Sequence, residues 1–169
     1  MGISHRKLSP DYVRNFIFGV EDSLVSTVGL LSGVAIAGMD RRTVFLTGMV
    51  LIFVESFSMA VGSFLAEHSA RDYARQRETS LRSPFVDGVI MFFSYFTTGF
   101  IPLLPYIFFE AGRALWISIL GSLAVLFIVG VVSARLSRVS IFTSSVRMVF
   151  IGGVAIAVGI IVGKVASGL

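Results

Sequence analysis

Five long apolar runs separated by short polar ones lay out the chain: residues 12–39, 43–70, 85–109, 114–134 and 145–167. A helix of about 20 residues crosses a hydrocarbon layer of roughly 30 Å, and every run reaches that length. The polar connections "GMDRR" (38–42) and "EAGRA" (110–114) are tight, so consecutive spans should run antiparallel within a single domain, 1–169. The pattern predicts an all-α, polytopic membrane protein with five transmembrane helices. The longest polar stretch, "EHSARDYARQRETSLRSP" (67–84), mixes both charges at helical spacing. It predicts a continuation of the second span beyond the membrane, then a turn at Ser83 and Pro84. Asp87 is expected to cap the next span, the alternative being a place at the cytoplasmic mouth of a pathway. In "GFIPLLPY" (99–106), Pro102 and Pro105 should break the third span near its outer end, leaving Tyr106 at the interface.

Composition agrees with the pattern. The 169 residues are 55% hydrophobic and 14% charged, with a mean hydropathy of +0.89. These values exclude an ordinary soluble domain. Cysteine is absent, so no disulfide framework or thiolate metal centre can form. The histidines are His5 and His68, there is no phosphate-binding glycine loop and no H-E-x-x-H, and the expectation is a protein that is not an enzyme. The first apolar run is too long and too acidic for a cleaved signal, so an uncleaved chain is expected. Arg6, Lys7, Arg14, Arg71, Arg75, Arg77, Arg82, Arg135, Arg138 and Arg147 fall on one side of the predicted membrane; Arg41, Arg42, Arg113 and Lys164 fall on the other. The imbalance places the N-terminus in the cytoplasm and the C-terminus outside. It also accounts for the net charge of +4 without nucleic acid.

Carboxylates within the apolar runs carry the chemistry. An aspartate at the centre of a membrane helix costs about 2.5 to 3.5 kcal/mol on insertion scales, and such acids generally face a bundle interior or a hydrated path. In the first span Asp11, Asn15 and Asp22 share one helix face, continued by Ser26, Gly29 and Gly33, whereas Glu21 points about 100° away. In the second span Glu55, Met59 and Gly62 share a face. Carboxylate oxygens with a thioether one turn away suit a divalent transition metal better than Mg²⁺ or Ca²⁺. Asp22, Glu55 and Met59 are therefore the candidate metal ligands, with Asp11, Asn15, Glu21, Ser26, Ser63 and Glu67 along the pathway or its entrance. Packing is the plainer reading of Met59 alone, and solvation that of Glu21 and Asp11. The stretches "SGVAIAG" (32–38) and "GGVAIAVG" (152–159) echo one another, as small residues in membrane helices often do.

"GVEDSLVSTVGLLSGVAIAG" (19–38), "ESFSMAVGSFLAEHSARD" (55–72) and "GFIPLLPY" (99–106) together resemble, in order, stretches of the vacuolar iron transporter family. The resemblance implies a homodimer of five-helix subunits that moves Fe²⁺, and often Mn²⁺, out of the cytosol in exchange for protons. Its path would lie between the first two helices. By position, Asp22 and Met59 match the family's aspartate and methionine; Glu55 is added from spacing. Glu21, Asp22 and Ser23 stand where relatives commonly have Asn-Asp-Gly, and Gly62, Ser63 and Phe64 where they have Gly-Glu-Tyr. A cytoplasmic helical domain rich in glutamate and methionine, known in the family, has no counterpart between the second and third spans, where His68 and four arginines lie. No permanently bound cofactor is expected, the metal being cargo. The expected setting is the lipid bilayer of a cell membrane, with a vacuolar-type membrane as the alternative. The alternative function is a membrane interaction or assembly protein without transport.

Overall fold

Helix ends follow from local chemistry. Pro10 opens α1 (Pro10–Ile36), where its missing N–H costs nothing. Gly38, at φ +84°, turns the chain back in the left-handed region. Asp40 then caps α2 (Arg41–Arg75), accepting hydrogen bonds from the Arg42 amide at 3.1 Å and from the Thr43 hydroxyl. After a loop come α3 (Arg82–Leu103) and the short α4 (Pro105–Phe108). Glu110 opens α5 (Ala111–Ser137), and Ser140 caps α6 (Ile141–Ser167) through the Thr143 amide. This computed structural model describes residues 10–168; His5, Arg6 and Lys7 lie outside them. Because α3 and α4 succeed one another within one span, five segments are long and apolar enough to cross a membrane, and among the described residues there is no strand. The predicted all-α, five-span architecture is what the chain adopts.

The Asp40 cap carries a pH signature. The Thr43 hydroxyl, with help from the Arg42 amide, holds the Asp40 carboxyl below its ordinary value of 3.8. A lowered folded-state value means that the cap stabilises α2 above the unfolded carboxyl's range and is lost as pH falls through the lowered value. Asp40→Asn retains a capping oxygen without that titration. The variant is expected to show a shallower fall of thermal midpoint in acid than the native protein; equal falls would assign the acid sensitivity elsewhere.

Three expectations need correction. Reversal between α2 and α3 occurs over residues 76–81, and Ser83 and Pro84 lie in the first turn of α3 rather than in a turn of their own. A proline is tolerated there because first-turn amides have no partner within the helix. Asp87 is not a cap: Leu81 occupies that position, and Asp87 is fully buried more than a turn inside α3. Pro105 does break the third span, but Tyr106 lies in the core at 1% exposure rather than at the interface.

The bundle is arranged around α1, the span with the largest buried share. Leu31 packs with Val44, Ile52 and Leu103 of α2 and α3. Val20 and Leu24 meet Leu126 and Met148, while Val28 meets Leu115, Ile119 and Ile156, all from α5 and α6. The echoing stretches meet only at Gly33 and Gly159, within a longer line of small residues along α1 and α6. A Cβ built on Gly33 would stand 2.5 Å from the Gly159 carbonyl oxygen, and one built on Gly29 would stand 3.1 Å from that of Ala155. The matched register makes α1 and α6 parallel, with backbones as close as in other small-residue membrane contacts. The outward faces remain apolar, as in Leu46, Phe53 and Phe57 of α2 and Phe150 and Ile161 of α6. Such faces suit lipid, with backbone polar groups satisfied inside each helix.

Candidate pathway between the first two helices

The end of the bundle that carries most of the arginines is tied by charge. Arg71, on the last turns of α2, reaches Glu67 at 3.0 Å, Asp11 of α1 at 3.3 Å and Asp87 of α3 at 3.5 Å. Arg14 of α1 adds a 2.8 Å bond to Glu67. Asp87 also accepts from the Asn15 amide at 3.0 Å, and Ser63 donates to Asn15 Oδ1 at 3.3 Å. A buried carboxylate is tolerated when a cation and hydrogen bonds compensate it, and Arg71 with Asn15 does this for Asp87. Asp11, Asn15, Ser63 and Glu67, expected on sequence grounds to lie along a path, are thus joined in one network across α1, α2 and α3.

Immediately inward, a groove of about 620 Å³ opens between α1 and α2. Asn15, Ser63, Glu67 and Met59 line it, together with a second thioether, Met91 of α3. Asp22 and Glu55 lie deeper, near the middles of α1 and α2 and outside this groove's lining. Both are partly exposed, and among the described residues neither has a hydrogen-bond or ion-pair partner. One turn along α1 from Asp22, the Ser26 hydroxyl shares a 2.6 Å hydrogen bond with the Tyr95 hydroxyl of α3. These two acids, without partners among the described residues, contrast with the paired Asp11, Glu67 and Asp87. Their oxygens are free to receive a cation or a proton.

Glu21 is placed elsewhere. It lines a separate cavity of about 710 Å³ with Arg14 and Ser133, between α1 and α5. Its direction agrees with the turn of about 100° away from Asp22. Gly29 and Gly33, on the Asp22 stripe, serve the α6 contact instead, because α6 lies against the outer half of that face. Among the described residues, no three histidine, aspartate or glutamate side chains of one chain gather closely enough to hold a metal ion. Arg71, Tyr95 and Met91 escaped the sequence reading, which weighs Asp87 as a cap or at a pathway mouth. Asp87 and Arg71 carried a signal in their charge, whereas Tyr95 and Met91 are ordinary residues of an apolar run.

Comparison with known proteins agrees with the helical order. The chain is similar to vacuolar iron transporter homolog 2 of Arabidopsis thaliana, with 27% identity over 157 residues, covering 87% of this chain and 80% of that protein. It is similar to vacuolar iron transporter homolog 5 of Oryza sativa subsp. japonica, at 30% over 161 residues, covering 88% and 77%. An uncharacterized protein of Methanocaldococcus jannaschii shares 26% over 163 residues, covering 86% and 84%. The model of the VIT family matches residues 13–82 and 74–164. The match reaches into all five membrane-spanning segments, and the chain belongs to the VIT family.

Proposed function

We propose that this protein carries a divalent transition metal ion, Fe²⁺ or Mn²⁺, out of the cytosol in exchange for protons, as a homodimer in the cell membrane. The observation that carries the reading is the presence of two unpaired acids, Asp22 and Glu55, midway along two membrane helices that flank a thioether-lined groove. The names of the plant relatives, vacuolar iron transporter homologs, support iron as the cargo. Partly exposed faces at Asp22, Glu55 and Met59 leave room for the same residues of a second copy, which would double the ligand set around a shared path. Carboxylate oxygens hold a metal only when deprotonated, so cation and proton compete for the same atoms and loading one releases the other. That competition is the coupling. The arginine-rich end faces the cytoplasm in this reading, and its ties across α1, α2 and α3 close the path on that side.

The test is Fe²⁺ and Mn²⁺ uptake by proteoliposomes with and without an imposed pH gradient. Gradient-dependent uptake of either ion is expected. No flux of either ion through well-folded native protein would overturn the proposal in favour of an assembly role. Met59→Leu keeps volume and deletes sulfur. The variant should lose about tenfold in preference for Fe²⁺ over Mg²⁺ in competition assays; an unchanged preference would leave Met59 as packing.

A further inference from the structure

The loop joining α2 to α3 is built rather than slack. Gln76 leaves α2 in the left-handed conformation at φ 51°. Asp72 then pins the returning chain: its Oδ1 accepts from both the amide and the hydroxyl of Thr79, each at 2.8 Å. The other carboxylate oxygen lies 3.5 Å from His68 Nε2. Beneath this strap is a recess of about 450 Å³ between the first turn of α1, the last turn of α2 and the first turn of α3. Arg71, Arg75 and Arg82 line it, with the hydroxyls of Tyr12, Ser80 and Ser83.

The charges in this recess do not balance. Arg71 is engaged by Glu67, Asp11 and Asp87. Arg75 and Arg82, by contrast, have no carboxylate within ion-pair distance among the described residues. The Ser80 oxygen accepts from the Arg82 amide at 3.4 Å, which leaves its own proton free. Two uncompensated planar forks and hydroxyl donors around one polar recess match a tetrahedral oxyanion, whose several oxygens can take bidentate bonds from more than one guanidinium. The recess also lies at the ends of α1, α2 and α3, beyond their apolar stretches, where polar headgroups come within reach. Basic pockets between membrane helices on that side suit anionic headgroups.

We propose that this recess is a binding site for a phosphate group, supplied by the headgroup of an anionic phospholipid or by phosphate in solution. The site is independent of the metal path and stands whether or not metal is carried. The experiment titrates delipidated, detergent-solubilised protein with short-chain phosphatidylglycerol, with phosphatidylcholine of the same chain length, and with inorganic phosphate, following the thermal midpoint. Native protein is compared with Arg75→Gln/Arg82→Gln, with Arg75→Lys/Arg82→Lys, and with Arg138→Gln, which removes an exposed arginine from the α5–α6 turn at the same end. Arg75 and Arg82 are exposed, so these variants should keep the native gel-filtration profile. Phosphatidylglycerol should bind native protein and Arg138→Gln alike, and the glutamine pair at least about tenfold more weakly. The lysine pair should fall between. Stabilisation by inorganic phosphate in native protein, lost in the glutamine pair, would support the site and assign it to a soluble anion. Equal affinity in native protein and the glutamine pair would overturn the site. So would a lysine pair equal to native, because the attraction would then be that of any basic surface.

Discussion

Alanine at position 22 is expected to reduce gradient-driven Fe²⁺ uptake by proteoliposomes at least about tenfold while raising the thermal midpoint of the purified protein. The two halves of this result discriminate together. Asp22 sits at the middle of α1 without a hydrogen-bond or ion-pair partner among the described residues. Its removal relieves an insertion cost of about 2.5 to 3.5 kcal/mol and places a better helix former in the span. A tenfold loss corresponds to only about 1.4 kcal/mol of ion stabilisation, well within the worth of one carboxylate ligand. Asp87→Ala is the contrasting variant. Asp87 is held by Asn15 and Arg71, so its loss leaves buried donors unpaired and should lower the midpoint. Unchanged uptake by Asp22→Ala would remove that residue from the path, and a lowered midpoint would make its role structural.

Leucine at position 159 is expected to destabilise the protein by about 3 kcal/mol or more, enough to broaden or abolish its cooperative melting in detergent. A Cβ at Gly159 would collide with the Gly29 carbonyl, and one at Gly163 with that of Gly33. The obstacle in each case is backbone, which cannot rotate aside as a side chain can. Separating α1 from α6 would also disturb the contacts of Val28 with Ile156. Gly153, on the same helix, faces open space, and Gly153→Ala should be neutral or slightly stabilising. Circular dichroism melts of the two variants side by side provide the check. Equal midpoints would refute the close α1–α6 contact.

Hydropathy made the five spans legible because burial in lipid demands long, nearly uninterrupted apolar runs. It placed their ends several residues off, since cap chemistry and amphipathic turns decide where a helix stops. Asp40 and Ser140 set their helices' starts more sharply than the apolar pattern could. Asp22 and Glu55 stood out because an acid amid apolar residues is costly in itself. Pairing is a different kind of information. Asn15 and Asp87 are 72 positions apart, and nothing local marks either as the other's partner. Asp87 near the start of an apolar run resembled a cap for the same reason. The glycine-rich echo was visible, but the contact that forms is in a different register, with Gly29 and Gly33 against Ala155, Gly159 and Gly163, and only the crossing of α1 and α6 selects it.

The glycine contact also decides which wall of the groove can move. Locked backbone to backbone against α6 and packed along α3, α1 behaves as a fixed post, whereas it touches α2 much more lightly. Less than a quarter of α2's most apolar window is buried, against more than half of α1's. Widening the groove is therefore cheapest when α2 swings on α3 like a door on its jamb, carrying Glu55 and Met59 with it while Asp22 stays in place. The arginine ties at the end of α2 then act as the latch.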